Sequence, residues 1–305
     1  MSQVSVAVID VGTNSTNLLV TDANGNQLCR NVAVTRLGEN LHSTGELSTN
    51  AIERTLHTID QHIATAQSLG AEKLVIVGTA ACRRAQNAEH FVSQLLQRTG
   101  LTLEILTEEQ EASLAFSGAL SGSTHTSPTL VLDIGGGSTE YTLGVLSADQ
   151  SVSIPFGAVT STASHLSTDP PYPEDLTNLI GAVADELEEI GRAMPAMVSP
   201  PRVIGVGGTI VTIAAVEIGL QQFDESAVHG FELTRDAAED VFRTLATEPF
   251  EDRILNPGLP RDRADIIVAG CCILVATMRR LKIDAITVSA RSLLDGVAER
   301  ERLGT

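Results

Sequence analysis

Apolar and polar positions along this chain fall into two alternating periods. Residues 4–9 form a short, β-branched apolar run, which the polar stretch Asp10-Val11-Gly12-Thr13-Asn14-Ser15-Thr16 interrupts and Leu18-Leu19-Val20 resumes. That pattern predicts strand, tight turn, strand. From Ser48 onward, Ile52, Leu56, Ile59, Ile63 and Ala66 recur in steps of four and three, and Gly70 follows. This spacing predicts an amphipathic helix with a glycine stop. A buried strand is expected at 74–77, a helix at 85–97 and another strand at 103–106. After the small, polar stretch 121–128 the pattern starts again. A strand at 130–132 leads into a second turn, Asp133 to Thr139, and 141–145 returns as a strand. Helical spacing then appears at Leu176, Leu179, Ile180, Val183, Leu187 and Ile190, followed by a strand at 202–206, an apolar helix at 266–281 and a last strand at 285–288.

Strands alternating with helices in both halves predict α/β layering. The linker-like stretch divides the chain into an N-terminal domain, 1–124, and a C-terminal domain, 125–305, with the last helix a candidate to pack back on the first domain. A length of 305 residues agrees with two cores rather than one. Aromatic residues make up only 3% and Trp is absent, so Val, Ile, Leu and Ala must fill those cores.

A net charge of −18 argues against broad binding to nucleic acid or to an anionic membrane, both of which need a basic surface. It leaves room for a polyanionic substrate, because backbone N–H groups, a few Arg side chains and a bound cation can make one crevice locally positive. Cys29, Cys82, Cys271 and Cys272 show no metal-ligand spacing and read as reduced core thiols. With neither a basic, apolar leader nor an apolar run long enough to span a bilayer, the cytoplasm is the expected location.

The chemistry is concentrated in a repeated motif. Ile9-Asp10-Val11-Gly12-Thr13-Asn14-Ser15-Thr16 and Leu132-Asp133-Ile134-Gly135-Gly136-Gly137-Ser138-Thr139 share Asp, Gly, Ser and Thr in register, each at the end of the first strand of its half. Gly lets the backbone come close to an anion, so such turns can direct several N–H groups at phosphate, with hydroxyls of Thr13, Ser15, Ser138 and Thr139 as further donors. Asp10 and Asp133 stand where they can hold Mg2+ directly or through its waters. Gly207-Gly208-Thr209 is a third Gly-rich turn, between a strand and an apolar helix, and can offer N–H groups to another phosphate. None of the three fits the Walker or dinucleotide templates. An ordinary hairpin whose Asp and Ser cap their own backbone would look the same for either loop alone. His229 before Gly230 reads as a turn residue. Arg261 and Arg263 could extend a basic channel, although a loop solvating its own charges is the expected arrangement.

These residues resemble the Ppx/GppA phosphatases, exopolyphosphatases and guanosine pentaphosphate phosphohydrolases of the actin, sugar kinase and heat-shock chaperone superfamily. The resemblance covers nearly the whole chain. It rests on the two Asp-x-Gly loops, on Gly78-Thr79-Ala80-Ala81-Cys82-Arg83, on Glu108-Glu109-Gln110-Glu111-Ala112, and on landmarks at 205–209, His229-Gly230, 256–259 and Asp295-Gly296. It implies two similar ribonuclease H-like domains with a cleft between them, Mg2+ as cofactor with K+ a further candidate, and a homodimer as a common state. It places the family's catalytic Glu at Glu111 and its phosphate-binding Arg at Arg83, with Glu140 a further candidate beside the second loop. Asp133 and Asp10 become the metal ligands. The implied phosphate contacts are Gly12, Thr13, Asn14 and Ser15; Gly135, Gly136, Gly137, Ser138 and Thr139; and Gly207, Gly208 and Thr209.

The implied activity is release of terminal orthophosphate from inorganic polyphosphate, with the guanosine pentaphosphate 5′-phosphate as the alternative. An ATP-dependent kinase or ATPase, or a non-catalytic phosphate or nucleotide sensor, are the competing classes. Two departures from the resemblance stand out: Arg84 occupies a place where many relatives carry an acidic residue, and the extra C-terminal domain of long family members is expected to be missing.

Overall fold

The computed structural model describes residues 4–122 and 126–304, so the domain boundary expected at 124/125 lies outside the described residues. The chain divides into two compact units, Met1–Ser121 with Ser292–Thr305, and Gly122–Arg291.

In the first unit, β1 (Val6–Val11), β2 (Ser15–Thr21) and β3 (Gln27–Val34) form an antiparallel meander, and β4 (Lys73–Gly78) and β5 (Leu103–Ile105) run parallel to β1. The sheet order is β3-β2-β1-β4-β5. Its helices are α1 (Leu41–Thr44), α2 (Thr49–Ser68), α3 (Ala80–Arg84), α4 (Ala88–Thr99) and α5 (Glu108–Leu120). The second unit repeats the plan with β6 (Thr129–Ile134), β7 (Thr139–Gly144), β8 (Ala148–Ile154), β9 (Val203–Val206) and β11 (Ala285–Val288), and adds β10 (Glu232–Thr234) antiparallel to β11. Its order, β10-β11-β9-β6-β7-β8, is the first sheet's order extended by one edge strand. Around it lie α6 (Ala158–His165), α7 (Pro173–Ala193), α8 (Gly207–Ile218), α9 (Glu225–Val228), α10 (Arg235–Thr247), α11 (Phe250–Arg253) and α12 (Ile267–Arg280). The final helix, α13 (Leu293–Leu303), packs in the first unit. Each sheet thus has the ribonuclease H-like order, an antiparallel meander continued by parallel strands.

β1 is apolar from Val6 to Ile9 because both of its faces are covered, and Asp10 breaks the run at its C-terminal end. Ala7, Ile9 and Val11 join Ile52, Leu56 and Ile59 of α2 in one core, while Val6 and Val8 join Leu293, Leu294 and Val297 of α13 in another. A strand buried on both sides loses the polar alternation of a half-exposed one. α12 shows the helical equivalent, with residues 267–278 all buried. α5 and α13 cross at glycines: a Cβ at Gly118 would lie 1.9 Å from the Ser292 carbonyl oxygen, and one at Gly296 1.9 Å from that of Leu114. Only hydrogen fits at this crossing.

The helix expected at 85–97 is two helices. Asn87 bonds both backbone groups of Leu47, accepting from its N–H at 2.8 Å and donating to its carbonyl at 2.9 Å. Ala85 ends α3 in an extended conformation, and α4 restarts at Ala88. All four cysteines are free, and Cys82, Cys271 and Cys272 are buried. Among the described residues no helix is long and apolar enough to cross a membrane.

One buried charge organises the second unit's C-terminal half. Arg253 is only 1% exposed and donates to the carbonyls of Leu245, Ala264 and Glu248 and to the Asp169 carboxylate. Replacing Arg253 with Met would leave those buried carbonyls without a donor, and the expected cost is about 3 kcal/mol or more of unfolding free energy, measured by urea titration.

Candidate active site

The functional side chains stand at the C-terminal ends of parallel strands, where open α/β sheets place their ligands. In the first unit, β1 ends at Asp10 and Val11, β4 runs on to Thr79, whose N–H donates to the Val11 carbonyl, and Leu106 after β5 donates to the Gly78 carbonyl. Three strand ends are thereby tied together, and each delivers one group: Asp10, Arg83 and Glu111. Arg83 lies in the last turn of α3, and Glu111 in the first turn of α5, whose N-terminus is closed by a Thr107–Gln110 capping box. Carboxylates at that end also favour the helix dipole.

Arg83 Nη1 donates to Glu111 Oε2 at 2.5 Å and to the Leu106 carbonyl at 3.0 Å. The pair is mostly buried, which rules out a solvated surface arginine. Burial pushes the Glu111 carboxyl above its ordinary range, opposed by the charge and hydrogen bond of Arg83. Cys82, between these groups, is pushed up to about 12 by burial, with Asp10 and Glu111 adding to the effect and Arg83 opposing it.

The two loops share one geometry. Gly12 N–H donates to the Ser15 carbonyl at 2.9 Å, and Gly135 N–H to the Ser138 carbonyl at 3.0 Å. In each loop the carbonyls are held from behind. Thr13 O accepts from Gly38, and Asn14 O accepts from Thr35 and Arg36. Gly135 O accepts from Ala158, and Gly136 O from Val159 and Thr160, the first turn of α6. Thr160 Oγ1 also reaches Gly137 O. Fixing the carbonyl side of a peptide turns its N–H to the opposite side, which is how a backbone nest for anions is built. Asn14 Nδ2 adds a buried donor with no partner among the described residues.

Other predicted contacts are built into the scaffold. Thr139 Oγ1 donates to the Phe156 carbonyl, and the Thr209 methyl packs where a Cβ on Gly270 would fall. Ser138 Oγ donates to Glu140 Oε1 at 2.6 Å, and Ser153 Oγ to the same atom at 3.0 Å. Glu140 thus braces the second loop from a buried position. His229, an exposed turn residue, accepts from the Ala290 N–H.

Gly207, at φ +83, is required twice: by its backbone and because a Cβ there would lie 2.3 Å from Asp133 Oδ1. Next to it, a Cβ on Gly208 would strike the Arg263 guanidinium at 2.3 Å. Arg263 therefore lies on the N-terminus of α8, making no hydrogen bond or ion pair of its side chain among the described residues, and burial lowers its pKa from the ordinary guanidinium value. Arg261 remains exposed and stacks 5.3 Å over the Phe250 ring, as a loop residue would. The sequence reading of a loop solvating its own charges fails for Arg263, because the chain around Arg253 turns that side chain inward.

For Mg2+, the donors are hard oxygens. Among the described residues no three His, Cys, Asp or Glu side chains gather into a metal cluster. Mg2+ commonly takes one or two carboxylates and completes its shell with waters and substrate oxygens, so Asp10 or Asp133 suits it. Beside Asp10, Asn17 Oδ1 is a buried acceptor without a partner among the described residues, which a hydrated cation would satisfy.

The model of the Ppx/GppA phosphatase family matches residues 18–303. Exopolyphosphatase 2 of Mycobacterium tuberculosis is 31% identical over 98% of both chains. The guanosine-5'-triphosphate,3'-diphosphate pyrophosphatase of Vibrio atlanticus is 28% identical over 96% of this chain and 58% of its own length. The crystal structure of the Aquifex aeolicus Ppx/GppA family member superposes with a TM-score of 0.82 at 31% identity, covering 99% of this chain and 98% of that one. Fold and relatives together define a hydrolase of phosphoanhydride bonds. The chain belongs to the Ppx/GppA phosphatase family.

Proposed function

We propose that this protein is an exopolyphosphatase that releases terminal orthophosphate from inorganic polyphosphate by Mg2+-assisted attack of water. The observation that carries the reading is the mostly buried Glu111–Arg83 pair at the joined ends of β4 and β5. Phosphoryl transfer needs an aligned nucleophile and neutralised equatorial oxygens more than covalent help. Glu111, ionised and held in place, takes the proton from water as it attacks. Arg83 keeps Nη1 on Glu111, and its Nη2, 4.0 Å from the exposed Glu108 carboxylate, can exchange that loose contact for a terminal phosphate oxygen, so one guanidinium fixes base and electrophile together. In the first unit the N–H groups of residues 13–15 and Asn14 Nδ2 offer donors to anionic oxygens; the second unit offers those of residues 136–138 and the Arg263 guanidinium. Mg2+ would be held by Asp10 in the first unit or by Asp133 in the second, and would supply charge neutralisation at the phosphate oxygens.

The second reading is hydrolysis of the guanosine pentaphosphate 5′-phosphate, which has the same anhydride chemistry and is favoured by the Vibrio relative. Phosphate release from polyphosphates of defined length and from guanosine pentaphosphate, assayed side by side with Mg2+ and with or without K+, separates them. The expected result is the higher kcat/KM on polyphosphate. Turnover of the nucleotide alone would transfer the assignment to the second reading, and transfer of labelled γ-phosphate from ATP to an acceptor would make the protein a kinase.

A further inference from the structure

In the first hairpin Asp10 and Asn17 face each other across β1 and β2, and Asn17 Nδ2 donates to Asp10 Oδ2 at 3.2 Å. This contact fixes the amide's orientation, since the reverse would set a carbonyl oxygen against a carboxylate. Asn17 Oδ1 is then directed away from that carboxylate oxygen, and it is buried with no hydrogen-bond partner among the described residues. The same register position in the second unit is Glu140, across from Asp133, and there the acceptor is filled by the Ser138 and Ser153 hydroxyls. One repeat has satisfied this acceptor within the protein; the other has left it for something that arrives.

Buried acceptors are normally paired, so what arrives must be a donor. A phosphate oxygen is excluded, because it would meet a carbonyl oxygen and a carboxylate side by side. A water carried on a divalent cation meets both requirements: the cation is attracted by Asp10 and its water donates to Asn17.

Resting on the Mg2+ reading above, we propose that Asn17 is a positioning residue of the cation site, aligning Asp10 through its amide nitrogen and accepting from a cation-bound water through its amide oxygen. Mn2+, titrated into the whole protein and followed by loss of the free-ion paramagnetic signal, tests this without an activity readout. Asn17→Leu keeps the volume and removes both polar contacts, and is expected to weaken Mn2+ binding about tenfold or more. Its thermal midpoint should stay at or above the parent's, because an unfilled acceptor has been removed. Asn17→Asp gives up the donor to Asp10 but keeps an acceptor there and adds a second carboxylate that the cation itself can hold, so it is expected to bind Mn2+ at least as tightly as the parent.

Parent-like Mn2+ affinity in Asn17→Leu, or a weakened one in Asn17→Asp, overturns the inference; the second variant decides if the first does not fold. Asp10→Asn separates this from the broader assignment. If it too binds Mn2+ like the parent, the placement of the cation at Asp10 is what has failed; if it loses the ion while Asn17→Leu does not, only the role of Asn17 is lost.

Discussion

Glu111→Gln is expected to lower turnover by about a hundredfold or more while substrate binding persists, because general-base positioning contributes on that order. Glutamine preserves the shape and can still meet Arg83, but it cannot take a proton from water. The same variant has a pH signature. Burial raises the Glu111 pKa, and Arg83 and Arg84 pull it back down while Glu108 adds to the rise. The base works only when ionised, so the parent's turnover should fall as pH drops through a pKa above the ordinary range near 4.3 for a glutamate. In Glu111→Gln the residual rate should lose that acid limb. A variant that keeps both the parent's rate and its acid limb would remove Glu111 from the base role and leave the pair with Arg83 as a structural contact.

The parts of this molecule that were legible in the sequence are those where local pattern and tertiary burial agree. β1, β4, β6 and β9 are buried strands and read as continuous apolar runs; α7 shows its buried stripe at Leu179, Val183, Leu187 and Ile190. The edge strands β3 and β8 were not legible, since half of β3 is exposed and the alternation in β8 is confined to Val152 and Ile154. The catalytic pair was legible only through family resemblance. Arg83 and Glu111 are 28 positions apart, and nothing in their spacing says that β4 and β5 end side by side. Arg263 was read as a loop charge solvating itself and Asn17 was passed over for a different reason: a guanidinium with no partner among the described residues on a helix N-terminus and a half-filled amide are properties of the packed structure, not of composition. Gly157 carries even less signal, being one glycine before a short helix in a chain with 25 of them.

Gly157→Ala is nevertheless expected to cost about as much activity as loss of the base. Its backbone, at φ −129 and ψ 165, is extended and open to any residue, so the argument is steric rather than conformational. A Cβ at this position would lie 2.5 Å from the Gly136 carbonyl carbon and oxygen and from the Ser138 nitrogen. Those are backbone atoms of the second phosphate loop, with no flexible side chain to swing aside. They are also bonded to the helix that Gly157 begins, through Ala158, Val159 and Thr160. The methyl group must therefore part loop from helix, releasing the carbonyls that keep the loop's N–H groups turned outward. A displacement of about 1 Å at a positioning group can cost on the order of a hundredfold in rate, and overpacking of this kind costs about 1–3 kcal/mol in stability. Gly181→Ala is the matched control: it lies inside α7 with nothing within 4 Å of its Cβ, so it should leave turnover unchanged and add up to about 1 kcal/mol of stability. Steady-state kinetics and urea unfolding on both variants decide the matter, and a Gly157→Ala protein with parental turnover would show that the second loop's shape is not what the reaction depends on.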